Sequence, residues 1–174
     1  DTYIYDTNGA CYGIMREGSP LNSFFGYKTD GYFQNEAEIA ATYPNGWTQL
    51  SGKDPKPGDI KYVDINGDGK LDADDRTVLG SWDPELTFGF NLGADWKGFD
   101  IMMAFQGAAK VNGYLTREGI GYLNGDASKP TKIWLDHWTE SNPNAKTPRL
   151  ITGMEGWSMP TTTSDFWMQN TAYL

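Results

Sequence analysis

Residues 85–107 alternate, in two runs, between two kinds of side chain. Leu86, Phe88, Phe90, Leu92, Ala94 and Trp96 fall on one face, with Thr87, Gly89, Asn91, Gly93 and Asp95 on the other. Phe99, Ile101, Met103 and Phe105 then share a face, opposite Asp100, Met102, Ala104 and Gln106. A period of two over this length means extended strands, because successive Cβ atoms of a strand point to opposite sides. Only Lys97-Gly98 separates the runs, and an X-Gly pair supplies the positive φ that a two-residue hairpin turn needs. The spacing predicts an antiparallel hairpin across 85–107. Its apolar face must be covered, either by a second sheet or by lipid, and alternation alone fits both. Two details bear on lipid. A first strand of about 11 residues, rising ~3.3 Å each at a ~45° tilt, covers roughly 25 Å, the apolar band of an outer-membrane barrel. Trp96 and Phe99 bracket the turn, where an interfacial aromatic belt would lie.

Composition removes several function classes. Lys and Arg number 14 against 23 Asp and Glu, a formal charge of −9. That argues against nucleic acid as a partner, which needs a basic face, and against polybasic docking on an anionic leaflet. Leu, Ile, Val and Phe make up less than a fifth of the chain, a share that with high charge suggests disorder. Seven Trp and ten Tyr oppose it, since disordered chains are poor in aromatics. The 21 glycines and a mean hydropathy of −0.58 suit β structure with long loops. Cys11 is the single cysteine, so no disulfide forms within the chain. We read it as a small side chain near a frayed end. The chain opens at Asp1 without methionine, as expected of a processed or excised piece.

Elsewhere the reading is local. Residues 21–27 fit a strand after Pro20, and 34–42 (QNEAEIAAT) a short helix that Pro44 and Asn45-Gly46 end. Two prolines and two glycines make 51–58 a loop, and 60–63 alternates as a short strand.

Residues 64–75 read DINGDGKLDADD, the spacing of a twelve-residue calcium loop. Asp64, Asn66 and Asp68 take positions one, three and five, and Gly69 sits at six, where the backbone turns sharply. Lys70 at seven offers its carbonyl, Asp72 fills nine and Asp75 fills twelve. Oxygen donors without His or Cys favour Ca²⁺ over Mg²⁺, which demands tighter octahedral geometry. Aspartate at twelve is a methylene shorter than the usual glutamate, and a strand rather than a helix leads in. The loop is therefore EF-hand-like without a helix–loop–helix, and a structural staple rather than a sensor. The competing reading is a solvated acidic turn capping a helix over 73–79.

No catalytic constellation stands out, and the chain reads as a non-enzyme. His137, the single histidine, lies in a WLDHW segment. If helical, that segment puts Trp134 and Trp138 on one face, and His137 reads as a packing or hydrogen-bonding residue.

Five segments follow one another in a characteristic order: 22–33 (NSFFGYKTDGYF), 57–80 (PGDIKYVDINGDGKLDADDRTVLG), 87–107 (TFGFNLGADWKGFDIMMAFQG), 138–150 (WTESNPNAKTPRL) and 164–174 (SDFWMQNTAYL). From about Arg16 onward the chain resembles SusC/RagA-type TonB-dependent outer-membrane transporters. The resemblance implies a mainly β fold, a 22-stranded transmembrane barrel with an internal plug, and long extracellular loops carrying short helices. It implies import of oligosaccharides or peptides, a SusD-like surface lipoprotein as lid, and energy from TonB. The resemblance covers only a late portion of the barrel. The plug, the TonB-contacting N-terminal part and most strands are missing, so the chain reads as a fragment. On this reading 1–33 is a strand region, 34–84 an extracellular loop carrying the calcium loop, 85–107 the hairpin, and 108–174 a second long extracellular loop. Short helices are expected in that loop near 111–123 and 131–138, and Lys97-Gly98 is then periplasmic. The alternative is a secreted, calcium-stabilised carbohydrate-binding module, in which the hairpin would pack on the chain's own core.

Overall fold

The computed structural model describes residues 2–6, 12–115, 131–151, 156–159 and 162–174; Cys11 and the 116–123 part of the expected helix lie outside them. The chain begins with strand β1 (Thr2–Asp6), which pairs antiparallel with β2 (Tyr12–Arg16), and β2 pairs with β3 (Ser23–Gly26). Strand β4 (Thr29–Tyr32) leads to helix α1 (Glu36–Thr42) and pairs with β5 (Ile60–Tyr62). Strand β6 (Thr77–Ser81) returns beside β3, completing a four-stranded sheet in the order β1-β2-β3-β6. The Asn35 side chain accepts from Glu38 N, and the Glu38 carboxylate accepts from Gln34 N. This reciprocal cap starts α1 where the sequence places it.

Next come β7 (Leu86–Trp96) and β8 (Phe99–Ala109), eleven residues each. They pair in unbroken register from Leu86↔Ala109 to Trp96↔Phe99. Lys97 (φ +50°) and Gly98 (φ +84°) both turn left-handed, the twist-matched two-residue turn. After β8, β9 (Asn112–Tyr114) pairs with β10 (Met168–Asn170), and Tyr173 exchanges both backbone hydrogen bonds with Ala108. The 168–174 segment thus runs back alongside the outgoing end of β8.

The core lies apart from the hairpin. Tyr27, Phe33, Ile39, Tyr43, Ile60, Tyr62, Leu71, Trp134, Trp157, Met159 and Trp167 bury together. Segments that the sequence suggests are two separate loops, 34–84 and 108–174, therefore share one aromatic interior. Its polar tips are satisfied inside: Tyr43 Oη donates to the Tyr62 carbonyl at 2.6 Å, and Trp157 Nε1 to the Ile60 carbonyl at 2.9 Å. Gly26 permits a close crossing, since a Cβ there would lie 2.1 Å from the Thr163 carbonyl oxygen.

Three expectations need correction. The helix over 73–79 is a single 3-10 turn, Ala73–Asp75, because Arg76 turns extended and Thr77 to Ser81 find a ladder partner in β3. The expected helix near 111–123 begins as strand β9, whose backbone pairs with residues that arrive over fifty positions later. Near 131–138 only a 3-10 turn forms, Lys132–Leu135. Among the described residues the sheets are open and none closes into a barrel.

Candidate functional site

The acidic loop is folded around its own backbone. The Asp64 oxygens accept from Gly67 N and Gly69 N, both at 2.7 Å. Asn66 Oδ1 accepts from Asp68 N at 2.9 Å, and Asp68 Oδ1 from Lys70 N at 2.8 Å. Gly69 adopts φ +77°, the left-handed turn expected of position six. Asp75 is fully buried; its oxygens accept from Ile65 N (2.9 Å) and Asp72 N (2.8 Å), joining the two ends of the loop. Asp72 caps the 3-10 turn and takes a hydrogen bond from Lys70 Nζ at 2.8 Å, which holds its carboxyl below the ordinary value. The sequence gives Lys70 only a carbonyl role; its side chain adds this ion pair.

Leu71, fully buried, anchors the loop in the core. Thr48 N donates to the Leu71 carbonyl and Leu71 N to the Gly46 carbonyl, while Asn45 Nδ2 donates to the Asp68 carbonyl at 2.6 Å. The loop is thereby docked on 45–48. Among the described residues no three His, Cys, Asp or Glu side chains converge as a metal cluster. The donor set still suits a hard cation: a carboxylate has about four lone-pair sites, and the backbone contacts of Asp64 and Asp68 occupy only some of them.

The hairpin carries the second feature. Every residue of β7 is exposed, and β8 is exposed through Gln106. On the apolar face Phe90 stacks on Phe105 with centroids 4.8 Å apart, and Leu92 faces Met103. Trp96 and Phe99, at the turn, are 68% and 73% exposed. Lys97 Nζ sits 4.7 Å from the Trp96 ring centroid. On the other face Asp95 lies directly opposite Asp100, a like-charged pair that costs stability unless something neutralises it.

His137 has the local role expected of it: its Nδ1 lies 2.9 Å from the Trp134 carbonyl, and its segment pairs with Thr147. One buried network escapes sequence reasoning. Asp59, fully buried, receives Arg149 Nε at 2.9 Å, a second Arg149 nitrogen at 3.1 Å, Ser158 Oγ and Lys56 N. Asp59 and Arg149 stand 90 positions apart, and nothing local marks them as partners.

A polar-backed apolar ribbon, exposed along two eleven-residue strands and joined to a loop-built body, has the design of a membrane β-barrel protein. Comparison with known proteins gives the family. No protein-family model matches the chain. TonB-dependent receptor P3 of Formosa agariphila is 33% identical over 136 residues, 78% of this chain and 13% of the relative. TonB-dependent receptor P26 of the same organism is 37% identical over 139 residues, again 78% and 13%. A chain in the structure of the RagAB peptide importer in the open-open state shares the fold, with a TM-score of 0.56 and 20% identity. That match covers 99% of this chain and 16% of the other. The chain belongs to the TonB-dependent receptor family of outer-membrane proteins, and it spans 13% of the length of the two curated relatives.

Proposed function

We propose that this chain serves a TonB-dependent outer-membrane transporter that imports oligosaccharides or peptides under a SusD-like lipoprotein lid. In that reading β7 and β8 are barrel staves with the apolar face toward lipid and the Gly-, Asn- and Asp-bearing face toward a wet lumen. Lys97-Gly98 is then periplasmic, and the body built from 23–82 and 131–170 is extracellular. Loop 64–75 holds a structural Ca²⁺ there, through Asp64, Asn66, Asp68, the Lys70 carbonyl, Asp72 and Asp75, and stiffens the surface that meets lid and cargo. Transport depends on TonB, contacted through a segment outside this chain.

The observation that carries the reading is the exposure of both faces of the hairpin. A carbohydrate-binding module of this size would bury the apolar one, because a row of large apolar side chains in water invites aggregation. The test is spin labelling. Nitroxides are placed singly from 86 to 96 in a Cys11→Ser background, and the receptor is reconstituted in liposomes. Even-numbered labels should collide with oxygen dissolved in lipid, and odd-numbered ones with an aqueous nickel chelate. Loss of that alternation, or immobilised labels throughout, would sink the barrel reading.

A further inference from the structure

A cavity of about 310 Å³ lies beside the acidic loop, lined by Tyr12, Tyr27, Gln49, Ser51, Arg76 and Thr163 among others. That volume is at the lower end of small-molecule sites, which run to about 1,000 Å³. Among the described residues of the lining, Arg76 is the one charged group. It is half-buried, with Nε donating to the Ala73 carbonyl at 3.1 Å and the guanidinium 5.4 Å from the Phe25 ring centroid. No carboxylate of the described residues pairs with it, although acids outnumber bases 23 to 14 in the chain. Beside Leu50 and Gly26, the other described residues of the wall offer neutral hydrogen-bonding groups. Thr163 Oγ1 accepts from Tyr12 N at 2.8 Å, and Ser51 Oγ lies 3.4 Å from Thr162 Oγ1, which fixes the rim.

The acidic loop adjoins two of these walls without lining them. Gln49 and Ser51 follow the 45–48 stretch that hydrogen-bonds Gly69 and Leu71, and Arg76 follows directly on Asp75. The Ala73 contact and the Phe25 stack restrict the guanidinium, so little further ordering is needed when an anion arrives. A planar carboxylate matches the guanidinium fork, and the neutral donors and acceptors around it suit hydroxyls or amides.

We propose that this cavity is a carboxylate-binding site in which Arg76 holds the acid group of a solute while Gln49, Ser51 and Thr163 hold its neutral part. Taking that solute to be cargo rests on the transport reading; the binding itself does not. The shared chemistry is the carboxylate, and its source is either an acidic sugar or the C-terminus of a peptide.

The test is equilibrium binding to the receptor purified in detergent. One arm compares a galacturonate oligomer with the matching neutral galactose oligomer, and the other a tripeptide acid with its C-terminal amide. The acid member of at least one pair should bind about tenfold tighter, and the arm that shows it names the source. Arg76→Gln should abolish the preference, Arg76→Lys should keep part of it, and Arg16→Gln, outside the cavity, should leave it intact. Equal binding of acid and neutral forms in both arms by the unmodified receptor overturns the proposal, as does a preference that survives Arg76→Gln. Carboxylate-selective binding without uptake in cells supports the site and counts against the transport reading alone.

Discussion

At the residue scale, Asp59 and Arg149 form a demanding contact, a fully buried carboxylate met by a partly exposed guanidinium. Burial pushes the Asp59 carboxyl above its ordinary value, while the Arg149 guanidinium and the Lys56 and Ser158 hydrogen bonds pull it back. Removing one partner of a buried pair leaves the other charge uncompensated, typically at 3–5 kcal/mol. Arg149 is partly exposed, so Arg149→Ala should come in below that range, at about 2–3 kcal/mol, in denaturant unfolding of the receptor. An effect under about half a kcal/mol would show that water reaches Asp59 after all. Gly58 beside it has φ +85°, and a Cβ there would lie 2.3 Å from the Trp138 ring. Gly58→Ala combines backbone strain with that clash and should cost more than about 1 kcal/mol, read in the same unfolding curves. None of this is legible in the sequence. A Gly-Asp pair at 58–59 looks like any turn, and Trp138 reads only as part of an aromatic stripe.

Among the elements, the hairpin and the short strands β3 and β5 were legible, whereas β6 and β9 were not, for a physical reason. Everything that specifies β7 and β8 is local: the period of two, the Lys97-Gly98 turn, and a partner two residues away. Strand β9 takes its partner from 168–170 and β6 from 23–26, so propensity alone pointed to helix in both places. On the lipid reading, Leu92→Lys should cost about 2–4 kcal/mol, whereas Asn91→Lys, on the lumen face, should cost almost nothing. Heat-modifiability of the assembled receptor on gels compares the two, and equal losses would argue against lipid on one face and water on the other. The acidic loop was legible in its spacing and in the turn at Gly69, but not in how Asp75 joins its two ends. Calcium should protect 54–80 from protease, and chelator should remove that protection. Asp64→Ala with Asp68→Ala should abolish the calcium dependence, and cleavage that is the same with calcium and with chelator counts against a bound ion.

The whole molecule divides into a bare ribbon and an aromatic body. Composition foresaw the second: seven Trp and ten Tyr in a chain poor in aliphatics, with Tyr43, Tyr62 and Trp157 at the centre of the core. Which segments would share that core was not foreseeable, because Tyr62 and Trp157 meet across 95 positions of chain. On the transport reading, their union has a mechanical consequence for a gate above a pore. Two flaps joined by a common hydrophobic weld cannot flutter separately. Opening would have to swing them as one rigid cap, pivoting where the chain passes into the ribbon: near Glu85 and Lys110, whose side chains form an ion pair at 2.8 Å, and at Tyr173 beside Ala108.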